Sequence, residues 1–283
     1  MKSVREAAWA GQFYPANPSR LSAQINKYID AAPDLGVKER LIGIIVPHAG
    51  YEYSGATAAV AYRQTRGMSY KTVFVLAPSH AEFFSGVSVY EGDYYRTPLG
   101  SVPVDREIAA AITGAHPEIR LSDKGHRTSG SRPEHALEVQ IPFLQTALGG
   151  EFKVVPIVFH DFSIDTCRLL GRAMAQSFDP ENMLMVASSD LYHGYSYEEC
   201  QKADDKTVNR IIDLDVEEFC RGAALDLYPA CGAGPISSVL IAAIEHGPVR
   251  VTLAARTNSA DVTGTRGGWT VGYASFLINR IPA

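Results

Sequence analysis

The chain has 283 residues, 46% of them hydrophobic and 20% charged, with a formal net charge of -5. That is enough apolar material for one large core, and the absence of any Lys/Arg run argues against a nucleic-acid partner. Four cysteines (Cys167, Cys200, Cys220, Cys231) with no C-x-x-C pair make neither a disulfide framework nor a structural zinc site. Residues 1–15 lack the apolar stretch of a signal peptide and no later run would span a bilayer, so the expectation is a cytoplasmic protein that does not act at a membrane.

Along the chain, β-rich runs alternate with helical patterns. Ser19–Ala31 places Leu21, Ile25 and Ile29 on one helical stripe. Leu41–Val46 and Lys71–Ala77 are continuous apolar runs, as expected of strands covered on both faces. Tyr90–Tyr95, broken by Glu91-Gly92-Asp93, reads as a turn between two antiparallel strands. Leu137–Leu148 is a helix whose Pro142 predicts a late start or a kink, because proline in a helix interior costs about 3 kcal/mol. Lys153–Phe159, Met183–Ala187, Val249–Ala254 and Thr270–Leu277 read as further strands. Ile164–Ser177, Glu198–Leu214 and Pro235–Glu245 read as helices. The alternation predicts a single α/β domain: a central, mostly parallel or mixed sheet flanked by helices.

The polar chemistry collects at strand ends. His48 follows the first apolar run, His80 the second, and Asp190 and His193 follow Met183–Ala187. In parallel sheets the carboxyl ends of strands share one edge, where ligands bind, so these residues are expected to converge. Glu134-His135 precedes one helix and Cys231 another. A cysteine at a helix N-terminus is expected to have a lowered pKa, and Gly50, Gly55, Gly232 and Gly234 to let backbone approach a bound group. Each residue alone has a plainer reading: His48 as a turn residue, Asp190 as an N-cap, Glu134 as a helix-start residue, Cys231 as a small buried hydrophobe. Their coincidence at one edge favours a functional site. Tyr51, Tyr53, Tyr192, Tyr195 and Tyr197 cluster near these histidines and can line a pocket, whereas His116, His126, His160 and His246 are assigned to surface or structure. There is no phosphate loop, dinucleotide fingerprint, nucleophile elbow, zinc-protease helix or radical-enzyme cysteine triplet.

Five segments are familiar: 10–15 (Ala10 to Pro15), 47–55 (Pro47 to Gly55), 76–80 (Leu76 to His80), 134–144 (Glu134 to Leu144) and 188–193 (Ser188 to His193). Together they resemble the Memo-like family, whose founding member is a eukaryotic cell-motility mediator. The resemblance implies one Memo-like domain over 1–283, with a fold similar to class III extradiol ring-cleaving dioxygenases. Carried over by residue, it implies that His48 and His80 are metal ligands and that Cys231 stands where the dioxygenase carboxylate ligand would. His193 matches the acid/base histidine, with Asp190 beside it. The implied metal is iron or copper, with zinc as a further option, since a thiolate favours softer ions. A radical-SAM protein of the same pathway is an implied partner.

Three functions follow as expectations. The first is a metal-dependent redox protein using His48, His80 and Cys231, with His193, Asp190 and His135 in catalytic roles but without efficient catechol cleavage. The second is a non-catalytic binding or adaptor protein holding a small molecule or peptide in the same cleft. The third is covalent or hydrolytic chemistry with Cys231 as nucleophile and His193 or His135 as base.

Overall fold

The computed structural model describes residues 2–130, 132–160 and 162–281. In chain order the elements begin with β1 (Val4–Arg5), α1 (Pro18–Ala31), β2 (Leu41–Val46), α2 (Tyr51–Arg63), β3 (Thr72–Pro78) and β4 (Val87–Tyr90). There follow β5 (Tyr94–Thr97), β6 (Gly100–Pro103), α3 (Arg106–Ala115), β7 (Ile119–Ser122), α4 (Gln140–Leu148), β8 (Lys153–Phe159) and α5 (Ile164–Ser177). The last are β9 (Met183–Ser188), β10 (His193–Gly194), α6 (Tyr197–Ile212), α7 (Val216–Ala224), α8 (Ala233–Glu245), β11 (Val249–Asn258), α9 (Ser259–Thr263) and β12 (Thr270–Arg280).

The main sheet runs β10-β12-β2-β9-β3-β8-β4-β7, with β11 paired to β12. Its centre, β2-β9-β3-β8, is parallel, and β12 and β4 flank it in antiparallel pairing. The molecule is therefore a single α/β domain built on a mixed sheet. Alternation along each central strand sends residues to opposite layers: Phe74 and Leu76 join the core under α3, α5, α6, α7 and α8, while Val73, Val75 and Ala77 join the core under α1, α2 and α4. Burial on both faces is why these strands read as unbroken apolar runs. Pro156 sits inside β8, and the β8–β4 ladder, registered at Ser88 with Val158 and Val89 with Ile157, stops short of it.

α4 starts at Gln140, so Pro142 falls in the first turn, where its missing N–H has no helical acceptor to lose. The expected hairpin at Tyr90–Tyr95 does not form. β4 belongs to the main sheet, whereas β5 lies in a separate sheet ordered β1-β5-β6. The Glu91–Asp93 turn carries the chain between sheets, and it is fastened to the N-terminal segment: the Ser3 N–H donates to Asp93 Oδ2 and the Asp93 N–H donates to the Ser3 carbonyl, each at 2.8 Å.

A buried ion pair fixes that segment. Arg5 Nη1 lies 2.6 Å from Glu138 Oε2, both side chains almost wholly buried. Glu138 also accepts the Ala8 and Trp9 N–H groups and the Tyr14 hydroxyl. Arg5 donates further to the carbonyls of His126 and Glu134. Residues 5–14 are thereby held against the segment that carries His135. Among the described residues, no helix is long and apolar enough to cross a membrane.

Candidate metal centre

The carboxyl ends of the four parallel strands are flush: Val46 pairs with Ser188, and Pro78 with Phe159. One or two residues beyond each end stands a polar side chain: His48, Asp190, His80 and His160. His48 is 2% exposed. Its N–H donates to Asp190 Oδ1 at 2.8 Å, so Asp190 ties the β2 and β9 exits together rather than capping a helix.

The tautomer of His48 follows from its neighbours. The Gln140 amide is oriented by the Tyr62 hydroxyl, which donates to Oε1, and by the Pro47 carbonyl, which accepts from Nε2. Gln140 Nε2 also donates to Ser188 Oγ at 2.8 Å, and Ser188 Oγ donates its own proton to the Ala136 carbonyl at 2.7 Å. Ser188 then has a lone pair left for His48 Nδ1, 2.9 Å away, so Nδ1 carries the proton. His48 Nε2 is left as a bare lone pair, facing Cys231 Sγ at 3.2 Å.

His80 is set in the same way by a carboxylate. Glu134 Oε2 accepts the His80 and Ala81 N–H groups, and Oε1 accepts those of His135 and Ala136. Burial would raise the Glu134 pKa, but the His80 hydrogen bond and the nearby imidazoles pull it down to about 2. His80 Nδ1 lies 3.4 Å from that carboxylate. Only an N–H can face it there, so the neutral tautomer that fits carries its proton on Nδ1 and turns Nε2 outward as the lone pair.

His48, His80 and Cys231 offer ligand atoms all within 4.8 Å of one another, a group that could hold a metal ion. His80, Glu134 and His135 satisfy the same distance test. In that second group, however, both Glu134 oxygens already accept backbone donors, so the carboxylate serves chiefly to orient its neighbours. His135 stacks on His80 at 4.9 Å and stands edge-on to His48 at 5.5 Å, with its Nδ1 buried and unpartnered. Burial takes His135 down to about 4 and, with the neighbouring histidines, holds His48 well below the imidazole range. Burial also pushes Asp190 up to about 7, against the opposing pull of the His48 and Ala49 N–H groups.

Two expectations are corrected at Cys231. Its thiol is pushed up rather than lowered, by burial first and then by the Asp190 carboxylate. The helix start is close, but the sulfur accepts a single N–H, that of Asp190, at 3.2 Å, and the nearest charge is negative. The glycines beside it serve packing and not ligand approach. A Cβ on Gly232 would lie 2.2 Å from the Ser188 carbonyl oxygen, and one on Gly234 would lie 2.1 Å from the Phe159 ring.

Cys231 also lines an open cleft of about 850 Å³ together with His193 and His160. His193 Nδ1 lies 2.9 Å from the Leu191 carbonyl, which fixes the proton on Nδ1 and leaves Nε2 as a base; burial holds this imidazole below its ordinary value. His193 and Asp190 thus reach the expected edge, Asp190 as a buried brace and His193 on the cleft wall. His160 is the residue the sequence reading missed. It directly follows β8, the same signal that singled out His48, and it faces the cleft instead of serving only as structure. Of the tyrosines, Tyr51 is buried with its hydroxyl on the Val139 carbonyl, whereas Tyr195 is largely exposed.

An α/β domain with two histidines and a cysteine gathered at the carboxyl edge of its sheet is thus defined. A family model described as Memo-like protein matches residues 5–277. A MEMO1 family protein of Nitrosopumilus maritimus is 34% identical, covering 96% of this chain and 98% of its own length. Another, from Methanococcoides burtonii, is 35% identical over 97% of this chain and 100% of its own. The chain belongs to the Memo-like family. Among solved structures, an uncharacterized protein from Escherichia coli K12 covers 82% of this chain and 99% of its own at 14% identity, with a TM-score of 0.45, a likeness too slight to bear on function.

Proposed function

We propose that the protein is a metal-dependent redox protein whose ion is held by His48 Nε2, His80 Nε2 and Cys231 Sγ. The observation that carries this reading is the fixed tautomer of His48, which turns an unprotonated nitrogen toward Cys231 at 3.2 Å. Two imidazoles and a thiolate form a soft donor set that suits Cu(I), Zn or a sulfur-ligated iron better than an oxygen-ligated iron. Because the Cys231 thiol is pushed up, metal uptake must release its proton, so affinity rises with pH. A bound iron or copper ion would supply one-electron chemistry and a Lewis-acidic position for a ligand. The residues around it do the rest. Asp190 and Ser188 hold His48, Glu134 holds His80, and His193 Nε2 accepts or returns a proton at the cleft wall. Efficient catechol cleavage is not part of this proposal, since the sulfur is itself oxidisable beside activated oxygen.

A second reading, a cleft that holds a small molecule or peptide without turnover, is favoured by Phe83, which lines the cleft and is largely exposed. One experiment separates the two. Untagged protein purified without oxygen is analysed for metals, then stripped and titrated with Cu(I), Fe(II) and Zn(II) while the unfolding temperature is followed. The redox-metal reading expects one tight equivalent of copper or iron, a rise in unfolding temperature through linkage, and loss of both in His80→Ala and Cys231→Ser. Unchanged affinity in both variants would remove the assigned ligands.

A further inference from the structure

The cleft above Cys231 has an unusual lining. Phe83, Phe84, Phe162, Leu191 and Pro229 give it large apolar walls, and Asp226 is the one charged side chain among the described residues that line it. Among the described residues, neither Lys nor Arg lines it. A carboxylate or phosphate entering here would lose part of its water shell with no Lys or Arg side chain to replace it.

Exposed aromatic rings stand beside both cleft histidines. Phe83 is 86% exposed and stands edge-on to His160, with ring centres 4.3 Å apart. Beyond the lining, Trp269 is 56% exposed with its ring centre 6.4 Å from that of His193, and Tyr195, 76% exposed, packs on Trp269 at 4.9 Å. Scattered surface apolar residues need no explanation. Phe83 and Trp269 are each set beside a cleft histidine. Asp226 adds a second sign of selection. It closes α7 at a φ of 56°, a left-handed position that Gly or Asn fills equally well, so the turn does not require its charge.

We infer that this cleft binds the aromatic body of an uncharged or cationic small molecule and rejects carboxylates and phosphates. The inference rests on the reading of the cleft as the approach to the His48–His80–Cys231 group, and it names the class of ligand that approach admits. Aromatic faces attract both planar apolar groups and cations, and Asp226 favours the cation further.

The test uses three probes that share one ring system: 1-naphthylmethylamine, 1-naphthylmethanol and 1-naphthoate. Binding is measured by calorimetry on chelator-stripped protein and again after metal loading. In the stripped protein the amine and the alcohol should bind, and the naphthoate at least about tenfold more weakly. Asp226→Asn should weaken the amine by about two- to fivefold and leave the alcohol unchanged. A Phe83→Ser/Trp269→Ser variant, with its unfolding temperature checked, should weaken both. Naphthoate binding as tightly as the amine would overturn the inference. So would failure of all three probes to bind, or affinity unchanged in the double variant. Because the decisive arm contains no metal, a failed metal titration with successful probe binding would count against the metal reading alone.

Discussion

At the scale of single residues, the side chains that matter most to the site are those that set hydrogen positions. Ser188 bonds His48 at Nδ1, the nitrogen turned away from Cys231, and so decides which nitrogen of His48 is bare. Ser188→Ala should lower metal affinity by about 10- to 100-fold, as loss of an orienting partner does, while the protein stays folded. A metal titration alongside circular dichroism checks this, and wild-type affinity would refute the tautomer argument. His126, remote from the centre, makes the pH prediction. Burial, with Arg5 adding to it, takes His126 down to about 3 from 6.5. A depressed folded-state value means that the stability contribution is complete above pH 6.5 and is lost as pH falls toward 3. Wild-type stability in urea should therefore fall more steeply over that window than that of His126→Gln, and parallel curves would count against it. Sequence made His48, His80 and Asp190 legible because each stands just beyond a long apolar strand. The same rule applied to β8 points to His160. Ser188, Gln140 and Glu138 were invisible as site residues because their importance lies in partners 48 to 140 positions away.

Among elements, the N-terminal segment and α8 are the ones under strictest constraint. Arg5→Ala would leave the Glu138 carboxylate buried without its cation, and breaking such a pair typically costs about 3–5 kcal/mol. Chemical unfolding should show a loss of that size, together with release of Trp9, whose indole N–H now donates to the Pro133 carbonyl. At the start of α8, Gly234→Ala should destabilise by about 1–3 kcal/mol, because the new methyl would meet the Phe159 ring. Gly114→Ala is the control. It lies within α3 with open space at its Cβ, and should stabilise by roughly 0.5–1 kcal/mol. A comparison of the two unfolding midpoints decides whether packing or backbone freedom governs each position. The element the sequence misplaced, the Tyr90–Tyr95 hairpin, shows the limit of local reading. A Gly-Asp turn announces a change of direction, but which strand pairs with which is settled by contacts far along the chain.

For the molecule as a whole, sheet order is what turns scattered residues into a site. The parallel centre brings four strand exits to one edge, and β12, at the far end of the chain, pairs with both β2 and β10 and so locks His193 beside them. The alternation of apolar strands with helices was enough to predict that layered plan. A mixed sheet was expected, but which strands flank the parallel centre, and the small β1-β5-β6 sheet, were not foreseeable from periodicity, which reports burial and not partnership. The spacing of the site along the chain also bears on how the protein matures. His48 and Cys231 are 183 residues apart, His48 and Asp190 are 142 apart, and Arg5 and Glu138 are 133 apart. A small zinc module draws its ligands from one short stretch, so the ion can organise the peptide as it folds. Here a growing chain has no such ligand set until most of it has been synthesised and closed on itself, and long-range closures of this kind come late in folding. An ion held by this group, as proposed, would therefore be delivered to a finished protein through the open cleft, and the supply and exchange of metal at that mouth would set how much of the protein is loaded.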